Sequence, residues 1–199
     1  MALSGAGLGL FLMVHLIGTA TVFLGGDAFL AYAANLHSRG AFLPLAESVL
    51  LAILLLHISL GAILFFDNLH ARPTRYRLKQ EAGGNAFAPR TMPYSGLIIL
   101  SFLIVHCLTF RFNGHDLTSV ELLQRAFHSP GPTLFTVISL AALVLHGSHG
   151  FWSLCQSLGL HHPRYDSFIR RGAWLVCLAG GLLFMLIPAL TFLVPGFPR

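Results

Sequence analysis

The fold class predicted by this 199-residue sequence is all-α: an integral membrane bundle of five transmembrane helices. Three observations predict it. Only 10% of the residues are charged, 55% are hydrophobic and mean hydropathy is +0.75, far outside the range of a soluble domain. Apolar runs long enough to cross a hydrocarbon core, about 20 residues each, recur near residues 5–24, 47–66, 94–112, 133–158 and 172–194, and each is closed by Gly, Pro or charge. Finally, the cations gather in alternate connections between those runs.

The first run has no basic residue before it and no small-residue cleavage pattern after it, so it reads as a retained helix and not a removable signal peptide. It is followed by "GGDAFLAYAANLHSRGAF", where apolar residues at helical spacing mix with polar ones, and this stretch predicts a short helix lying on the membrane surface. Cys107, Cys155 and Cys177 all fall inside spans and no C-x-x-C-H occurs, which argues against a disulfide framework and against a covalently attached c-type haem. Buried apolar thiols account for them.

A net charge of +5 raises the question of nucleic acid, and the positions of the charges answer it. Arg72, Arg75, Arg77, Lys79 and Arg90 fall between the second and third spans, and Arg164, Arg170 and Arg171 between the fourth and fifth. Only Arg39, Arg111, Arg125 and Arg199 lie on the other side. By the positive-inside rule both basic connections are cytoplasmic, which puts the N-terminus inside and the C-terminus outside. Nucleic acid is therefore not an expected partner, and a cytoplasmic protein docking on the basic loops is compatible with the charge.

The chain repeats itself. "SGAGLGLFLMVHLI" (4–17) matches "SGLIILSFLIVHCL" (95–108) without a gap at Ser, Gly, Phe, Leu, Val and His, and "LLLHISLG" (54–61) matches "LVLHGSHG" (143–150) as L-x-L-H-x-S-x-G. The first span thus pairs with the third, and the second with the fourth. Each pair carries one histidine at a fixed place: His15 with His106, and His57 with His146. Paired spans run in the same direction, so paired histidines sit at similar depth. His106 lies about 9 Å from the outer boundary and His57 about 14 Å from the inner one, at about 1.5 Å of rise per residue, which stacks one pair outward of the other.

An imidazole inside a span is costly and marks a functional site by default. A lone one ordinarily bonds to a neighbouring helix. Four of them, matched in pairs by a repeat, point to metal chemistry. Two neutral imidazoles facing each other from separate helices fill both axial positions of a haem iron and leave none for a substrate, which suits electron transfer. The predicted arrangement is therefore four helices enclosing two stacked b-type haems, with His57 and His146 on one iron and His15 and His106 on the other. Gly61 and Gly150, four residues past His57 and His146, leave room for a flat macrocycle. His149 has Leu60 as its repeat counterpart, so it is expected at a haem edge or on a propionate or backbone carbonyl. Histidines 37, 70, 115, 128, 161 and 162 fall in connections.

Taken in order, "FLMVHL", "GGDAFLAYAANLH", "FLPLAE", "LLLHISLG", "SGLIILSFLIVH" and "HGSHGFWSLCQSLGL" make the chain resemble, over nearly its whole length, the five-helix dihaem cytochrome b membrane subunit of succinate:quinone oxidoreductases and quinol:fumarate reductases. The last segment looks like that family's His-x-x-x-Gly-x-Trp. The resemblance implies that His57 and His146 hold the haem nearer the cytoplasmic iron–sulfur subunit, and His15 and His106 the distal one. It further implies a flavoprotein beyond the iron–sulfur subunit, basic loops with His161 and His162 facing that subunit, and a quinone, commonly menaquinone, near the outer face of a bacterial or archaeal cytoplasmic membrane. The chain holds no acid–base set for succinate itself.

Weaker expectations attach to five residues. Asp27 is a candidate for exchanging protons with the quinone, against an ordinary role at a helix start. Ser4 and Ser95 open the two repeated segments, where capping or helix contacts compete with haem-propionate bonding. Arg90 is a candidate propionate partner, as is His149. Two departures from the family stand out: Pro93 and Tyr94 occupy the place of a basic residue before the third span, and Val144 occupies the place of a glutamate that serves proton transfer in some quinol-oxidising relatives. Two rival readings share the composition: a cytochrome b subunit of a membrane hydrogenase or formate dehydrogenase, and a transporter or scaffold whose histidines link helices or bind a metal ion. The charge distribution makes one direct prediction: a reporter active only outside the cytoplasm is expected to be active when fused at the C-terminus and silent when inserted between Arg72 and Arg90, and the opposite pattern would reverse the topology.

Overall fold

The computed structural model describes residues 1–71, 87–112, 117–160 and 162–198, without the side chains of 87–90. Arg72, Arg75, Arg77, Lys79, His115, His161, Arg199 and the Arg90 side chain therefore lie outside the described residues. All regular structure among those described is helical: α1 (Ala2–Thr19) running into a 3-10 helix (Ala20–Leu24), α2 (Gly26–His37), α3 (Phe42–His70), α4 (Phe87–Phe110), α5 (Ser119–Ala126), α6 (Pro130–Ser157) and α7 (Asp166–Leu193). Among the described residues, five segments are long and apolar enough to span a membrane, Ala2–Leu24, Phe42–His70, Thr91–Phe110, Pro130–Ser157 and Asp166–Leu193.

Most spans extend past the apolar windows of the sequence at one end or both. α7 begins at Asp166, six residues early, so Arg170 and Arg171 belong to its first turns and not to a connection. The Asp166 carboxylate accepts from Arg170 Nη2 at 2.8 Å one turn on, an i,i+4 pair that supports this start. The surface stretch after the first span forms α2. Its start is set by Gly25, whose φ of 116° lies where only glycine is at ease. α5 has no counterpart in the sequence reading. It opens on a capping box in which Thr118 Oγ1 accepts from the Glu121 backbone N–H and Glu121 accepts from the Thr118 backbone N–H at 2.8 Å. These bonds hold the Glu121 carboxyl below its usual range.

Contacts between spans show neighbours running antiparallel. Gly5 lies beside His57 and Gly61 beside Met1; Gly96 lies beside His146 and Phe102 beside Phe135; Gly147 lies beside Cys177. α6 is the mast of the bundle, packed on α1, α4 and α7. α3 packs on α1 and hardly touches the rest, and none of its residues is buried. The large outward side chains of every span are exposed leucine, isoleucine, valine and phenylalanine, as a lipid-facing surface requires.

Within the bundle the contact surfaces use small residues. Gly181 of α7 sits directly under Val144 of α6, so close that an added Cβ would collide with the Val144 Cγ2 methyl. Ser139 and Ser148 are buried at these surfaces and return their hydroxyl protons to their own helix, at Phe135 O (2.8 Å) and Leu145 O (3.0 Å). At the end of the bundle away from Ser4, a small apolar core of Val22, Leu123, Phe127 and Ile187 ties the 3-10 helix, α5 and α7 together, with Phe29, Phe110 and Phe197 packed around it. The α6–α7 seam makes one prediction: Gly181→Leu is expected to cost about 1–3 kcal/mol by overpacking, read as a lower unfolding temperature in detergent, and an unchanged temperature would mean the helices separate freely.

Candidate functional site

The four histidines of the repeat occupy the middle of the bundle. His15 and His106, from α1 and α4, have ring centroids 6.0 Å apart with planes at 88°. His57 and His146, from α3 and α6, have centroids 6.4 Å apart with planes at 64°. In each case the two helices scarcely meet elsewhere, so the pair lies on a diagonal of the four-helix arrangement α1, α3, α4, α6.

Their relative depth follows from two further contacts. Ser4 Oγ of α1 lies 3.1 Å from His57 Nδ1, and Ser95 Oγ of α4 lies 3.1 Å from His146 Nδ1. The serine at the start of one helix therefore marks the level of the histidine on another. His15 is eleven residues beyond Ser4 and His106 eleven beyond Ser95. At 1.5 Å per residue the two histidine pairs are separated by about 16 Å along the bundle. Gly5 and Gly96, next to the serines, face the rings: an added Cβ would stand 3.4 Å from His57 Cε1 and 3.6 Å from His146 Cε1. The repeated Ser-Gly is thus a seat for the repeated histidine, with a hydroxyl against the ring nitrogen and a bare backbone against the ring edge.

The surroundings of the pairs differ. Aromatic rings crowd His15 and His106: Phe11 stacks on His15 at 5.5 Å and Phe184 lies at 5.8 Å, while Phe102 and Phe110 flank His106 at 5.4 and 5.0 Å. A cavity of about 260 Å³ opens beside His106, lined also by Phe102, Thr109, Phe127, Phe135 and Thr136. Next to the other pair, the Met1 methyl lies over Gly61 and Gly150 faces open space.

The remaining sequence candidates fall as follows. The ring of His149, one turn past His146, lies 5.6 Å from Trp152. Trp152 in turn donates its Nε1–H to Asp166 at 2.8 Å and carries the Arg170 guanidinium 4.2 Å above its ring, a cluster the sequence reading did not contain. Asp27 is exposed in the first turn of α2, where its charge complements the helix dipole. Val144 is buried against Gly181 of α7. At the end away from Ser4, Arg111 grips Glu47 of α3 through Nε (2.8 Å) and Nη2 (3.1 Å), which raises the Arg111 pKa and fastens α3 to α4 where they otherwise barely touch.

Chemically, each pair offers two imidazoles and no other ligand. Among the described residues no group of three or more His, Cys, Asp or Glu could hold a metal ion. A bare ion would need three or four protein ligands. Two coaxial imidazoles bound about 2 Å from one metal have ring centres about 6 Å apart, which is the spacing of both pairs. The donor sets therefore fit a group that brings its own equatorial ligands. Compared with protein-family models, curated proteins and solved structures, the chain matches none.

Proposed function

We propose that this chain is the cytochrome b membrane subunit of a succinate:quinone oxidoreductase, anchoring an iron–sulfur subunit and a flavoprotein and passing electrons through two haems b to a membrane quinone. The observation that carries the reading is the pair of diagonal imidazole couples, 6.0 and 6.4 Å between ring centroids, at two depths of one bundle. His57 and His146 would hold the haem nearer the soluble subunits, and His15 and His106 the other. Held by two imidazoles, such a group would supply one-electron transfer and not substrate binding at the metal.

The protein's own residues do the rest. Four phenylalanines surround His15 and His106 with apolar rings. Ser4 and Ser95 hold the other two rings. Asp27, exposed at the end of the bundle nearer His15, is the group we assign to proton exchange with the quinone, for which menaquinone is the expected species. Arg90 and His149 stand as the propionate candidates, of which His149 is also a neighbour of Trp152. The chain belongs in this reading to a bacterial or archaeal cytoplasmic membrane, with its N-terminus and the connections rich in Arg and Lys on the cytoplasmic side.

The reading is tested on the complex solubilised from membranes. Succinate is expected to reduce b-type absorption bands in it, and mass spectrometry is expected to find an iron–sulfur protein and a flavoprotein with this chain. Molybdenum or nickel subunits in their place would support a formate dehydrogenase or hydrogenase, and a colourless preparation would leave a transporter or scaffold. In the same material His57→Ala or His146→Ala is expected to remove about half the pigment, one axial pair of two, and His15→Ala or His106→Ala the other half; full pigment in all four variants would end the proposal.

A further inference from the structure

The Ser–His contacts are at one pair of histidines only, and their direction can be worked out. A hydroxyl has one proton and two acceptor lone pairs. Ser4 donates that proton to the Met1 carbonyl at 2.9 Å, and Ser95 donates to the Met92 carbonyl at 3.1 Å. With the proton on that bond, each oxygen turns a lone pair toward its histidine, and the nitrogen 3.1 Å away, Nδ1, then carries hydrogen and donates it. In a neutral imidazole with its proton on Nδ1, the free lone pair is on Nε2, the far side of the ring.

His15 and His106 are built otherwise. Their rings rest on Phe11, Phe184, Phe102 and Phe110, and among the described residues neither makes a hydrogen bond to another side chain. Both serines, by contrast, are buried, in matching places of the repeat, at matching distances from matching nitrogens. Sequence comparison treats the two pairs alike; the structure makes them unlike.

We propose that Ser4 and Ser95 are positioning residues that lock His57 and His146 in the Nδ1–H tautomer and strengthen Nε2 as a donor, so that the two histidine pairs are unequal ligand sets. The inference rests on the haem reading above. A hydrogen bond accepted from Nδ1–H gives the imidazole partial imidazolate character and raises its basicity toward a metal. A more basic axial ligand stabilises ferric over ferrous iron and lowers the reduction potential. Removing the two hydroxyls should raise the potential at that level and leave the other alone.

The test is a redox titration of the b-type bands in membranes containing the whole complex, with wild type, Ser4→Ala, Ser95→Ala, the double variant, and Ser4→Thr with Ser95→Thr. The component that His57→Ala abolishes is expected to move to higher potential in the alanine variants, by about tenfold in its ferric-to-ferrous ratio for the double variant, which is about 59 mV for one electron. The other component should stay in place, and threonine, which keeps the hydroxyl, should restore the wild-type value. The low-spin ferric electron paramagnetic resonance signal of the same component should shift with it. Fully pigmented alanine variants with both potentials unchanged, or with both displaced together, would overturn the proposal. If alanine empties that level of pigment, the threonine variants decide: pigment and potential restored support it, and pigment still absent overturns it. A wild type with no b-type bands would instead overturn the functional reading underneath.

Discussion

Imidazole has no partner in hydrocarbon, and the whole arrangement depends on how four such rings are accommodated there. Two are seated by serines reaching across from the next helix, and all four face another imidazole across a diagonal of the bundle. The diagonal matters physically. Neighbouring helices at packing distance have no room for a flat group between their facing side chains, whereas diagonal helices are held apart by the two that separate them. α3 shows the same constraint from the other side: it is held by α1, by the Ser4–His57 contact and by the Glu47–Arg111 ion pair, and packs little on α4 or α6.

So loosely held a helix needs a firm support elsewhere. The seam between α6 and α7 provides it, with Val144 fitted over Gly181 and Cys177 against Gly147. α7 brings no histidine of its own, yet it holds α6, and α6 carries His146. Phe184, also on α7, completes the aromatic walls around His15. At the far end α5 and the C-terminal segment close the bundle, Gln124 donating to the Phe197 carbonyl at 3.3 Å. The fifth span thus acts on the site through packing.

Much of this was legible in the sequence, for reasons that differ element by element. Hydropathy located the five spans because lipid imposes length and apolarity on each. The repeat set out which histidines share a level, since a common offset along parallel helices is a common depth. α5 escaped because eight residues of mixed polarity carry little periodic signal; its capping box, Thr118 with Glu121, was the available clue. The early start of α7 escaped because a hydropathy window ends where Arg170 and Arg171 begin, although an i,i+4 pair with Asp166 continues the helix. The seat of His57 and His146 escaped for a different reason. Aligning repeats compares a helix with its counterpart, Ser4 with Ser95 and His57 with His146, while the contacts run between non-equivalent helices. The regular Ser-Gly at the start of both segments was the signal, and its meaning depended on knowing which helix lies alongside.

The most direct measurement is the haem content of the purified complex, determined as the pyridine haemochrome and divided by the amount of this chain. The account predicts haem b at two per chain. A complex containing this chain intact and no haem b would contradict it.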